Sequence, residues 1–200
     1  MVLVGKQAPD FTAAAVLGNG EIVDNFNLKD FANGKKIVLF FYPLDFTFVC
    51  PSELIAFDKR FGDFQARGVE IIGVSIDSQF SHHAWRNTSI NNGGIGAVQY
   101  PLVADIKHEI CKAYDVELEN EGVALRGSFL IDNEGKVRHQ VINDLPLGRN
   151  IDEMLRMVDA LQFHEEHGEV CPAQWAKDKA GIEASPEGVA KYLASHSDDL

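Results

Sequence analysis

Ile37-Val38-Leu39-Phe40-Phe41-Tyr42-Pro43-Leu44-Asp45-Phe46-Thr47-Phe48-Val49-Cys50-Pro51 is the stretch on which the reading of this chain turns. Ile37–Tyr42 is an unbroken apolar run between Lys36 and Pro43, the pattern of a central strand buried on both faces. The proline ends it, and a short loop leads to Cys50, which stands directly before Pro51 and a helical pattern. Leu54, Phe57, Phe61 and Phe64 recur at spacings of three and four, with Gly68 as a stop, so a helix is expected over Pro51–Arg67. A thiol at the start of a helix meets unpaired backbone N–H groups and the positive end of the helix dipole. Both favour thiolate, the nucleophilic form of sulfur. The competing account is a buried structural cysteine, the commoner fate of a lone Cys.

Outward from this stretch, Val69–Ile76 reads as a second strand and Ser81–Ile90 as a helix with Trp85 on its apolar side. Tyr100–Ala104 is a short strand, and Lys107–Tyr114 a short helix around Cys111. Ser128–Ile131 and Val137–Ile142 flank the turn cluster Asp132-Asn133-Glu134-Gly135, which predicts a hairpin. Asn150-x-x-Glu153 has the form of a capping box, opening a helix on which Ile151, Met154, Leu155, Val158 and Leu161 share a face. Alternating strands and helices followed by a hairpin and a helix imply a thioredoxin-like α/β fold, a three-layer α/β sandwich.

After Glu166 the texture changes. Residues 168–183 carry no sustained periodicity, while Ser185-Pro186 predicts an N-cap and first residue of a short helix to about Ala194. The expected organisation is one domain over residues 1–166 and a C-terminal arm over 167–200 that carries Cys171. Trp175, Tyr192 and Leu193 favour an arm that packs rather than a disordered tail.

Two hundred residues suit a single domain with a sizeable core plus an arm. A formal net charge of −12, with no basic cluster, argues against binding nucleic acid or an anionic membrane surface, both of which demand a basic face. No run approaches the length of a membrane-spanning helix. The first residues lack the form of a signal peptide, so a cytoplasmic location is expected. The three cysteines, Cys50, Cys111 and Cys171, form no C-x-x-C pair and no metal-type cluster. His164 and His167 stand three apart but lack a third ligand in register. No metal is expected, and with no flavin- or nicotinamide-binding fingerprint, no cofactor either.

The arrangement Pro43-x-x-x-Thr47-x-x-Cys50 resembles the active-site signature of the peroxiredoxins. Val170-Cys171-Pro172 with Trp175 resembles the segment that carries the second cysteine of typical 2-Cys members. Gly93-Gly94-Ile95-Gly96 and Asn143-Asp144-Leu145-Pro146-x-Gly148-Arg149 match the same subgroup, so the likeness runs from about Lys6 into the tail. The group it resembles most is that of peroxiredoxin 1 and the peroxidase subunit of alkyl hydroperoxide reductase.

Peroxide reduction by a thiol needs a stabilised thiolate, donors that polarise the O–O bond and a means of neutralising the departing oxygen. Cys50 supplies the sulfur, Thr47 a hydroxyl, and Pro43 a shield against water. The resemblance places an arginine beside the sulfur, and Arg126 stands at that position; Glu53 and Arg149 are expected to orient it. Against this stand an ordinary first-turn acid and a solvated basic residue.

For the resulting sulfenic acid two captors exist, Cys111 and Cys171. Cys111 sits within a helical pattern and reads more simply as a core thiol. The resemblance implies that Cys171 of one chain attacks the sulfenic acid on Cys50 of its partner. It also implies hydroperoxide substrates, thioredoxin or a flavoprotein disulfide reductase as electron donor, and a homodimer that assembles to a decamer. Phe46, Phe48 and Trp85 are candidates for a subunit contact or for the core. A redox-regulated holdase or a peroxide-signalling relay is the alternative function, and a third is an interaction module in which Cys50 is inert.

Overall fold

A computed structural model describes residues 1–199, and the chain divides into two compact units, Met1–Ile151 and a second from Asp152 onward. The first unit opens with strands β1 (Thr12–Val16) and β2 (Ile22–Asn27) and helix α1 (Leu28–Ala32). Next come β3 (Lys36–Phe41), α2 (Cys50–Lys59), α3 (Phe61–Gln65), β4 (Val69–Ser75), α4 (Gln79–Asn87) and β5 (Leu102–Ala104). It continues with α5 (Glu109–Ala113), the small pair β6 (Glu117–Leu118) and β7 (Val123–Ala124), then β8 (Arg126–Ile131) and β9 (Val137–Asn143).

Seven strands form one sheet in the order β2-β1-β5-β4-β3-β8-β9. β3, β4 and β5 run parallel, and β8 returns antiparallel on the other side of β3. This is the thioredoxin-like arrangement that the sequence predicts. The apolar run behaves as expected: Ile37 through Tyr42 are all buried, because β3 has neighbours on both sides and helices to cover it. Gly73 on β4 faces Phe40 and Leu102 across the ladders. A Cβ there would lie 2.9 Å from Leu102 Cδ2 and 3.0 Å from Phe40 Cζ, so glycine lets the large side chains on either side fill the layer.

The structure differs from expectation in several places. The helix predicted over Pro51–Arg67 breaks at Arg60, whose N–H is shared between the Ala56 and Phe57 carbonyls at 3.3 and 3.1 Å, and a second short helix follows. Helix α4 starts two residues earlier than expected, because the Ser78 hydroxyl caps it by accepting the Ser81 N–H at 3.2 Å. Strands β1 and β2 have no counterpart in the reading of the sequence; Gly18-Asn19-Gly20 is the turn signal between them, with Asn19 Oδ1 accepting the Glu21 N–H at 2.9 Å. Alanine-rich Thr12–Val16 has little strand propensity of its own and is held by pairing with β2 and β5.

The second unit comprises α6 (Ile151–His167 from its second residue) and α7 (Pro186–His196), the latter capped by Ser185, whose hydroxyl accepts the Gly188 N–H at 3.0 Å. Between them Val170 and Ile182 form an antiparallel bridge that closes the aperiodic segment into a hook. Trp175 is buried within this unit against Phe163, ring centroids 5.0 Å apart, and its indole N–H donates to the Lys179 carbonyl.

Candidate active site

Cys50 is the first residue of α2 and is fully buried. The chain reaches it from the end of β3 through Pro43, also buried, and a loop pinned from below. The Asp45 carboxylate accepts the Tyr42 hydroxyl at 2.9 Å and the Ser81 hydroxyl at 2.8 Å, and lies 2.8 Å from His82 Nδ1. The His82 Nε2 sits 3.1 Å from the Val103 carbonyl, and the Asp45 N–H donates to Asp77 at 2.8 Å. Local sequence carries no sign of this bracing, which joins residues some 40 positions apart. It fixes the loop so that Thr47 returns over the helix start.

Two donors converge on the Cys50 sulfur. Thr47 Oγ1 lies 3.0 Å from Sγ and 2.8 Å from the Leu44 carbonyl, so its single proton can serve either. Arg126 Nη1 lies 3.4 Å from Sγ. Arg126 opens β8, whose pairing with β3 brings it beside the start of α2, and its Nε donates to the Leu145 carbonyl at 2.6 Å.

Glu53 and Arg149 form the layer behind. Glu53 Oε2 accepts from Arg126 Nη1 at 2.8 Å and from Arg149 Nη2 at 2.9 Å; Oε1 accepts the Arg149 backbone N–H and Nε, both at 2.8 Å. Arg149 Nη1 reaches the Phe41 and Gly127 carbonyls and the Ser128 hydroxyl, and the guanidinium lies over the Phe40 ring. The Glu53 and Arg149 side chains are 2% and 3% exposed, so neither is an ordinary surface charge. Burial pushes the Glu53 carboxyl up, but the hydrogen bonds and charge of Arg149, aided by Arg126, outweigh it and hold the group below its usual range. Two guanidinium groups against one carboxylate leave one positive charge, which a single anion on sulfur or oxygen balances. Gly148 permits the close approach of this loop to the helix start: a Cβ there would lie 3.3 Å from Val49 Cγ1.

Cys111 is buried in α5, and burial together with the charge of Asp105 pushes its thiol up to about 12, leaving it protonated at neutral pH. Cys171, half-buried in the second unit, is 3.4 Å from the Ala160 carbonyl; burial raises its thiol, with the Arg156 charge opposing. All three cysteines are free thiols.

A thioredoxin-like sheet bearing a buried cysteine at a helix start, faced by a hydroxyl and a braced guanidinium, defines a thiol-based oxidoreductase. The AhpC/TSA family model matches residues 4–140, and that of the C-terminal domain of 1-Cys peroxiredoxin matches residues 160–195. The chain belongs to the AhpC/TSA family, the peroxiredoxins. Alkyl hydroperoxide reductase C of Helicobacter pylori is 60% identical over 98% of both chains, and Peroxiredoxin-1 of Gekko japonicus 48% identical over 96% of both. Reduced 2-Cys peroxiredoxin of Plasmodium vivax superposes with a TM-score of 0.93 at 47% identity, covering 97% of this chain and all of that one. Like these relatives, the protein is a thiol-dependent peroxidase.

Proposed function

We propose that Cys50 is the residue that attacks hydroperoxides, hydrogen peroxide and organic hydroperoxides alike. The observation that carries this is the convergence of Thr47 Oγ1 and Arg126 Nη1 on its sulfur. The thiolate attacks one peroxide oxygen, an S–O bond forms as the O–O bond breaks, and the leaving alkoxide or hydroxide takes up a proton. Cys50 is left as sulfenic acid. Thr47 donates to the bound peroxide, Arg126 offsets the negative charge spread over sulfur and oxygens, and Pro43 keeps water from the sulfur. Glu53 and Arg149 are positioning residues that act through Arg126.

In the second step Cys171 of a partner chain attacks the sulfenic sulfur; an S–S bond forms and water leaves. Because Cys50 is fully buried, its sulfur meets another thiol only when the first turn of α2 unwinds. An external dithiol protein, thioredoxin or a flavoprotein disulfide reductase, then returns two electrons. The chain acts as a homodimer that assembles to a decamer, in the cytoplasm, with residues 1–166 as peroxidase domain and 167–200 as the arm carrying the resolving thiol. Among the described residues no helix is long and apolar enough to cross a membrane.

Replacing Cys50 by serine tests the assignment: peroxide consumption with a dithiol present is expected to vanish, and substantial residual turnover would overturn it.

A further inference from the structure

His108, Cys111 and Glu117 come together at the start of α5 and on β6, outside the peroxidase cluster. One ligand-type atom from each lies within 4.8 Å of the other two. His108 Nδ1 is 2.7 Å from Glu117 Oε1. The second carboxylate oxygen, Oε2, is buried and has no hydrogen-bond partner among the described residues, although the Glu117 side chain is only 9% exposed. The Lys112 ammonium stands 3.7 Å from it, beyond hydrogen-bond length. A buried carboxylate oxygen left without a hydrogen bond is costly, the more so when the group is charged. Asp105 does not relieve it, because its carboxylate is committed to the N–H groups of Ile110 and Cys111 at 3.0 and 2.7 Å.

We propose that His108, Cys111 and Glu117 form a three-ligand site for zinc(II), with water in the fourth position. Sulfur, imidazole nitrogen and carboxylate oxygen are the donor set of a borderline-soft dication rather than of calcium or magnesium. Thiolate and carboxylate together cancel the charge of the ion. On binding, Cys111 releases its thiol proton to solvent and His108 loses the Nδ1 proton, taking the Nε2–H tautomer; nothing is oxidised. Tetrahedral zinc wants its ligand atoms about 3.2–3.8 Å apart. The imidazole and carboxylate therefore part by roughly half an ångström, and the wider separations close by up to about 1 Å. The His108 side chain is 24% exposed and gives an entry path. The bound ion would clip the start of α5 to β6 and raise thermal stability, independently of peroxide turnover.

The test uses the full chain carrying Cys50→Ser and Cys171→Ser, so that Cys111 is its one thiol, stripped with a chelator and titrated with cobalt(II). The expected result is one equivalent per chain, a near-ultraviolet thiolate-to-cobalt charge-transfer band, loss of that band on adding zinc(II), and a zinc-dependent rise in melting temperature. Cys111→Ser should abolish the band. His108→Asn, chosen because Asn tolerates the left-handed backbone at φ 58°, and Glu117→Gln should each weaken binding at least ~10-fold. No charge-transfer band in the parent, or a band unchanged in His108→Asn and Glu117→Gln, would overturn the proposal. These last two variants decide the matter even if Cys111→Ser fails to fold.

Discussion

Glu53 Oε2 accepts from Arg126 and Arg149 at once, at 2.8 and 2.9 Å, so one buried carboxylate sets the direction of the guanidinium that faces the Cys50 sulfur. A single side chain therefore bears on both the stability of this cluster and the placement of Arg126, and the two effects can be separated by experiment.

Glu53→Gln keeps the shape but removes the charge, leaving Arg126 and Arg149 close together without their shared anion. The oxidation rate of Cys50, followed by rapid-mixing fluorescence, is expected to fall by about 10–100-fold through misplacement of Arg126. Breaking a buried ion pair by removing one partner also costs about 3–5 kcal/mol, read from urea unfolding. An undiminished rate with lowered stability would confine Glu53 to a structural role.

The same carboxyl gives the protein an acid dependence of known sign. Its folded pKa is depressed below the unfolded value, so its contribution is fully present above the ordinary carboxylate range. That contribution is lost as pH falls through the folded value. Unfolding curves from pH 6 to pH 3 should therefore show the wild type losing its advantage over Glu53→Gln. A gap that stays constant across this range would contradict the linkage.

Arg126→Ala should slow the first oxidation step by about 10²–10³, the usual effect of removing a donor aimed at developing charge. Folding should suffer less, since Glu53 keeps its three hydrogen bonds from Arg149. If the rate is unaffected, Arg126 has no part in the reaction.

Oxidised protein is expected to run as a covalent dimer on a non-reducing gel, with peptide mapping giving a Cys50–Cys171 bond. Cys171→Ser should abolish the dimer. Cys111→Ala should leave turnover within about twofold, because a buried thiol held near 12 supplies almost no thiolate at neutral pH. A bond that uses Cys111, or one confined to a single chain, would refute the assignment of the resolving thiol.

Phe46 and Phe48 are 53% and 97% exposed beside the helix start, whereas Trp85 is buried with its indole N–H on the Gly93 carbonyl. If the two phenylalanines are covered between dimers, that contact holds the first turn of α2 folded, and unwinding after oxidation loosens it. Sedimentation at one low concentration should show larger assemblies for the reduced form. Equal distributions, or a reduced form no larger than a dimer, would rule this out.

The central strand, the helix that begins at Cys50, the hairpin around Asp132–Gly135 and the capped helix after Ser185 were all legible in the sequence. Each is written in local terms: an apolar run, a period, a turn cluster or a cap, acting between residues close in the chain. The position of Cys50 at a helix start was equally local, and the spacing to Thr47 and Pro43 carried the family resemblance. The first hairpin escaped because alanines state no preference and are held by their neighbours in the sheet. The resemblance set Glu53 and Arg149 behind Arg126, but only tertiary structure could decide that both are buried and that Glu53 joins Arg126 across 73 positions and Arg149 across 96. The same holds for the bracing of Asp45 by His82 and for the meeting of His108 with Glu117. Periodicity tells which face of an element is apolar, whereas the partner of a buried charge is chosen by which elements pack together, and low dielectric makes that choice binding.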